Sequence, residues 1–223
     1  MQNMRNKRGY VESLIEAILQ KDIQNRFKIR NIDALRKIAH HLINNSCLEM
    51  NYGEMSKVFG MSDKTIQKYI SYLQQAFLVQ MLTKHSYKSM ERICGSKSYI
   101  IDPGLQNNRE NSLVAENIGW RLENVVFIEL LRRCSNEYLD LYFYKPGPKD
   151  KEIDFVVCDK NRSLELIQVA PKAFKRETSA LISASTPLRC NQLTLIAFSE
   201  TRDVEIDGKI IHIKSAIEWL LTQ

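Results

Sequence analysis

The sequence predicts an α/β (α+β) chain in two parts, a winged helix-turn-helix followed by a mixed sheet flanked by helices. Three observations predict it. Two short segments with apolar stripes are separated by Gly60 and the polar cap Ser62, and beyond residue 138 strand-like apolar runs mix with helical ones. Charge is also divided unevenly. Residues 1–100 carry 16 Lys and Arg against 8 Asp and Glu, a net of +8, whereas residues 101–223 carry 16 against 18, a net of −2. A basic first half is what a polyanion-binding surface requires, because each phosphate neutralised releases counterions.

In the first half, residues 10–23 place Val11, Leu14, Ile15, Ile18 and Leu19 at helical spacing. Asn31 caps a second helix with Ile32, Leu35, Ile38, Ala39, Leu42 and Ile43 on one face and Arg36, Lys37, His40 and His41 on the other. Adjacent histidines point about 100° apart on a helix, so they do not converge on one metal ion. A short helix with Met55, Val58 and Phe59 stops at Gly60, and Ser62 caps the next, striped by Ile66, Ile70, Leu73 and Phe77. That stripe leaves Lys64, Gln67, Lys68, Ser71 and Gln75 outside it. Lys64 and Lys68, one turn apart, suit phosphates, and Gln67 suits base edges. Strands at 77–82 and 98–102, joined by a loop with Lys84, Lys88, Arg92 and Lys97, form the wing. The candidate nucleic-acid contacts are Lys64, Gln67, Lys68, Lys84 and Lys88. Folds of this kind also dock proteins, so a protein–protein regulatory module without nucleic-acid binding stays open.

Asp102-Pro103-Gly104 is a turn and a boundary. Beyond it the pattern gives a helix over about 113–134, strands at 139–145, 152–158 and 163–170, and a helix at 174–184. A strand at 192–198, a short strand at 210–213 and a closing helix at 214–221 follow. Glu123 lies on the long helix, Asp154 inside an apolar strand and Gln168 fourteen residues later. A carboxylate in an apolar strand is costly unless it binds a metal or a cationic partner, and the alternative to a metal ligand is a structural acid paired with a neighbouring Lys or Arg. Magnesium-dependent phosphodiester cleavage needs such carboxylates converging, with a lysine to stabilise developing charge.

The stretches RLENVVFIELLRR, GPKDKEIDFVV and LELIQV resemble the PD-(D/E)xK nuclease-like domain at the C-terminus of a family of prokaryotic AAA+-type ATPases, a region of unknown function. KDIQNRFKIRNIDALRKIA, the helix-turn-helix and YIIDPGL resemble the same family, so the resemblance covers nearly the whole chain from Val11. It implies a helix at 1–30 linking to a missing or separate ATPase module, a winged helix-turn-helix at 31–102, and a restriction-endonuclease-like domain at 103–223. Relatives carry an ATP-binding domain with a phosphate loop. No GxxxxGK[ST] occurs here, and Gly208-Lys209 is followed by Ile210. ATP is therefore expected only through an absent N-terminal domain, in cis or in trans, and the chain is expected to be a fragment or a stand-alone gene. The apolar face of residues 11–23 would then pack on that ATPase.

Carried over by position, Glu123 matches the helix carboxylate and Asp154 the first strand acid, the candidate metal ligand. Gln168 stands in place of the second acid and Ala170 in place of the lysine, with Lys172 two residues further on. An amide and a methyl group where an acid and an ammonium belong imply a degenerate nuclease fold kept for binding or assembly. No cofactor is expected in this chain, Mg²⁺ only if the nuclease is active, the alternative reading. Nucleic acid is the expected partner, DNA ahead of RNA, and a homodimer is a further candidate assembly. No apolar run approaches the ~18 residues of a membrane span, and the first residues lack a secretory signal. Five cysteines (47, 94, 134, 158, 190), with no CxxC pair, fit a reducing cytoplasm.

Overall fold

The computed structural model describes residues 5–86, 95–108, 118–147 and 149–222. They belong to two compact units, Met1–Met81 with Cys94–Asn117 and Leu82–Ile93 with Ile118–Gln223. Together they make a mixed α/β chain with two sheets.

In the first unit, α1 (Arg5–Ala17) runs into a π-helical stretch, Ile18–Gln24, and a last α-turn, Asn25–Phe27. It ends at Lys28, whose φ of 51° is left-handed. Ile15, Leu19 and Ile23 are buried in the same core as Leu35, Ile38 and Leu42, with Val11, Leu14 and Ile18 packed on its margin. The apolar face expected to await an ATPase is thus spent inside this unit. Arg36 fixes the helix from outside. Its Nε and Nη2 donate to the two carboxylate oxygens of Glu16 at 2.6 and 2.9 Å, and Nη1 donates to Asp33.

Asn31 caps α2 (Ile32–Asn44), its side chain accepting the Ala34 N–H. The short β1 (Glu49–Met50), which the sequence pattern does not reveal, precedes α3 (Tyr52–Phe59). Gly60 ends α3 with φ 64°, a left-handed geometry that glycine adopts without a Cβ penalty. Ser62 Oγ then accepts the Thr65 N–H and starts α4 (Asp63–Gln75). Ile66, Ile70 and Leu73 are buried as expected. Phe77 and Val58 are not: they are 78% and 75% exposed, Phe77 because α4 ends at Gln75 and Val58 because α3 turns only Met55 fully inward. β2 (Val79–Thr83) and β3 (Ser96–Ile100) complete a sheet ordered β1-β3-β2, with Glu49 beside Lys97.

In the second unit, α5 (Ile118–Glu137) is followed by β4 (Asp140–Tyr144), β5 (Ile153–Asp159), β6 (Arg162–Val169), α6 (Lys175–Ser185) and β7 (Leu193–Ala197). The start expected for the long helix at about 113 lies outside the described residues. β8 (Arg202–Ile206), β9 (Lys209–Ser215) and α7 (Ala216–Leu221) follow. The sheet order is β4-β5-β6-β7-β9-β8, with β6, β7 and β9 parallel and the other pairs antiparallel. A parallel β6–β7 pair needs a crossover, and α6 supplies it. Ala180, Leu181 and Ala184 of α6 pack on Val156, Leu166, Leu193 and Ile211. Phe155, next along β5, instead meets Phe127 of α5 at 6.2 Å between rings, so α5 covers the opposite face.

α5 is also tied to the C-terminal helix. Arg133 lies 4.2 Å from the Trp219 ring centroid and donates to the carbonyls of Trp219 and Thr222. Glu129 accepts from Arg132 and Arg133, and those guanidinium groups hold its carboxyl down to about 2. Cys47 is buried, Cys134, Cys158 and Cys190 are buried free thiols, and burial pushes Cys134 and Cys158 up to about 11. Thiols held so far above neutral pH carry little thiolate and react slowly. Among the described residues no helix is long and apolar enough to cross a membrane.

Candidate functional site

In the first unit the candidate contacts gather on α4. Lys64, Gln67 and Lys68 are all exposed. Spacings of three and four residues set them on one side of the helix, opposite the buried Ile66, Ile70 and Leu73. Ser71 and Gln75 continue that side and bond to each other. Lys68 Nζ stands 5.9 Å from the Tyr72 ring centroid, an attraction that orients the ammonium without quenching its charge. Asp63, in the first turn of α4, is engaged by the Ser56 hydroxyl.

The expected wing contributes less to this surface than its composition suggests. Lys88 and Arg92 lie outside the described residues. Lys97 is only 2% exposed, because it sits within β3, and is not available to a phosphate. Lys84 is half-buried in the second unit, where it forms a bridge with Phe143 of β4, and the next amide, His85 N–H, donates to the Phe143 carbonyl at 2.6 Å. Sequence alone does not show that the chain leaving β2 makes a bridge to Phe143 in the second unit.

In the second unit the candidate chemistry surrounds Asp154. Tyr142 pairs with Val156, but Tyr144 pairs with Ile153, so β5 takes three steps where β4 takes two. The extra residue is a bulge at Asp154–Phe155, and it explains why Ile153 and Val156 lie in one hydrophobic cluster. On its other side, the β5–β6 ladder ends at Phe155–Ile167, one residue short of Asp154 and Gln168. The Val169 N–H therefore donates to the Asp154 carboxylate at 2.8 Å instead of continuing the ladder. Asp154 is 6% exposed, and its charge strengthens that bond.

The other positions do not complete a magnesium site. Gln168 contributes a side-chain carbonyl, buried and without a hydrogen-bond partner. Such an acceptor costs about 1–3 kcal/mol, so it adds nothing to the strand pair. Ala170 is buried and offers no charge. Lys172 lies beyond the end of β6 at Val169, is exposed, and its ammonium meets no described carboxylate. Glu123 is half-buried on α5, one turn after Gly119, where an added Cβ would stand 3.6 Å from Pro171. That places its helix face near the end of β6. Glu165 accepts a hydrogen bond from the Thr194 hydroxyl. Among the described residues no group of three or more His, Cys, Asp or Glu could hold a metal ion. Magnesium sites draw on one or two carboxylates and the ion's own waters, and this strand pair brings Asp154 with the amide of Gln168 in place of the second acid and Ala170 in place of the lysine.

Residues 1–112 match the family described as "Domain of unknown function (DUF8612)", and residues 119–215 match "Domain of unknown function (DUF4143)". An uncharacterized protein of Methanocaldococcus jannaschii is 29% identical over 231 residues, covering 97% of this chain and 51% of that protein. An uncharacterized protein of Haemophilus influenzae is 28% identical over 224 residues, covering 96% and 52%. The chain spans about half the length of the curated relatives it matches. No solved structure matches it.

Proposed function

Because the chain belongs to the family described as "Domain of unknown function (DUF8612)", which leaves its activity open, we propose a function from its geometry. The chain is the accessory region of an AAA+-type ATPase. It binds nucleic acid, DNA in preference to RNA, through a winged helix-turn-helix, and carries a PD-(D/E)xK nuclease-like domain that does not cleave. The observation that carries the reading is α4. It hides its apolar stripe and presents Lys64, Gln67 and Lys68 together to solvent. Two ammonium groups one turn apart match adjacent phosphates, and the amide between them can reach a base edge.

The order α2-β1-α3-α4-β2-β3, with its sheet ordered β1-β3-β2, supports the winged-helix reading. The order α5-β4-β5-β6-α6-β7 supports the nuclease-like one. DUF4143 is typically associated with AAA ATPases, and the half of each relative beyond this match leaves room for one. Loss of cleavage follows from electrostatics. A single acid already bonded to the Val169 N–H, beside an amide and a methyl group, neither concentrates a divalent ion nor stabilises a developing phosphorane.

The test is fluorescence anisotropy on labelled duplex DNA with the full chain. Binding is expected at about 50 mM salt in EDTA, weakened as salt rises, and weakened at least tenfold by Lys64→Glu/Lys68→Glu. No binding at low salt would remove the nucleic-acid reading and leave the protein-docking alternative. Cleavage in Mg²⁺ or Mn²⁺ that is lost in Asp154→Asn would remove the inactive-nuclease reading.

A further inference from the structure

We propose that the turn at Arg26–Arg30 is a second contact for the phosphate backbone of duplex DNA, continuous with α4. The inference rests on the nucleic-acid reading of α4 and extends that surface onto a segment expected to link to an ATPase module.

The last turn after α1 carries Arg26, Lys28 and Arg30, all exposed, while Ile29 between them is 8% exposed and anchors the turn in the core. Phe27 stacks on Tyr72 of α4 with ring centroids 3.9 Å apart and planes 15° from parallel. Arg26 lies over the outer side of this stack, 5.1 Å from the Phe27 centroid, and Lys68 lies 5.9 Å from the Tyr72 centroid. A cation–ring–ring–cation row, Arg26–Phe27–Tyr72–Lys68, therefore joins the turn to the helix. Its two charges are no more than ~15 Å apart, a length over which one DNA strand, with a phosphate every ~3.4 Å of rise, presents several charges. Face-to-face rings hold both side chains in place, so less freedom is lost on binding.

The local charge balance points the same way. No described carboxylate pairs with Arg26, Lys28 or Arg30. Of the acids near the opening helix, Glu16 and Asp33 are taken by Arg36, leaving Glu12 and Asp22 exposed, two carboxylates against the three cations of the turn. An anionic bilayer would also attract three cations, but each contributes only about 1 kcal/mol there, and firm binding adds apolar side chains that insert. Here Ile29 is buried and Phe27 is stacked, which favours the polyanion with a hard surface.

Arg26→Gln/Lys28→Gln/Arg30→Gln in the full chain tests the inference, with circular dichroism confirming an unchanged fold. Three exposed polar substitutions leave the core intact. Titrated with labelled duplex DNA beside wild type and Lys64→Glu/Lys68→Glu, the triple variant should bind about tenfold or more weakly. Its slope of log K against log salt should be shallower by about 2–3. Wild-type affinity in the triple variant, with binding lost in Lys64→Glu/Lys68→Glu, would overturn the inference and leave the α4 reading standing. Failure of wild type to bind would overturn both. Loss of binding to phosphatidylserine vesicles with DNA binding intact would assign the turn to membranes and overturn the inference as well.

Discussion

Replacing Asp154 by alanine removes the acceptor of the Val169 N–H at a place where the bulge leaves no ladder carbonyl to take over. The donor stays buried, and a buried unpaired N–H costs about 1–3 kcal/mol. Loss of a charge-assisted bond puts the expected cost in the upper part of that range, about 2–3 kcal/mol. Asp154→Asn keeps an accepting oxygen and loses the charge, so it should cost about 1 kcal/mol. Both tryptophans, Trp120 and Trp219, lie in the second unit, so their fluorescence during urea or thermal unfolding reports that unit alone. At roughly 4 °C per kcal/mol for a unit of this size, alanine should lower its Tm by about 8–12 °C and asparagine by about 4 °C. Added Mg²⁺ should move neither the wild type nor the variants. Equal losses for the two substitutions, together with a Tm of wild type raised by Mg²⁺, would refute the reasoning and make the carboxylate an ion ligand.

The Arg133 contacts give a second expectation. Arg133→Ala removes a ring contact and two bonds to the carbonyls of Trp219 and Thr222, and should cost about 2 kcal/mol in urea unfolding followed by Trp fluorescence. Glu129 supplies the pH dependence. Its folded-state carboxyl is held down to about 2, below the ordinary value, so its stabilisation is present above the unfolded value near 4.5 and is lost as pH falls toward 2. In Glu129→Gln, stability measured between those pH values should fall less steeply than in wild type. Gly60→Ala meets no neighbouring atom but forces a Cβ into a φ of 64°, which should cost about 1 kcal/mol in thermal unfolding followed by far-ultraviolet circular dichroism.

The parts of the fold that sequence exposes are those with a local signature. Asn31, Gly60 and Ser62 each mark a helix end through a hydrogen bond or a φ value that few residues provide, and each performs that role. Other signals were present but outweighed. Asp207-Gly208, both with positive φ, joins β8 to β9 in a two-residue turn, yet Arg202, Asp203 and Glu205 give β8 the composition of a loop because it is an exposed edge. What stays hidden depends on contacts distant in sequence. The π-helical stretch at Ile18–Gln24, the burial of Lys97 and the bulge at Asp154 follow from tertiary packing, and nothing in the neighbouring residues announces them. The same holds for Phe27 on Tyr72, a pair 45 positions apart that turns an expected linker into part of the α4 surface.

The proposed role of α4 in nucleic-acid binding is tested most directly by the salt dependence of DNA affinity in EDTA, compared between wild type and Lys64→Gln/Lys68→Gln. Two phosphate contacts on this helix require the slope of log K against log salt to become shallower by about 1.8 while the preference among DNA sequences is kept. An unchanged slope, or wild-type affinity that does not respond to salt, would contradict the assignment of α4 as the nucleic-acid-binding helix.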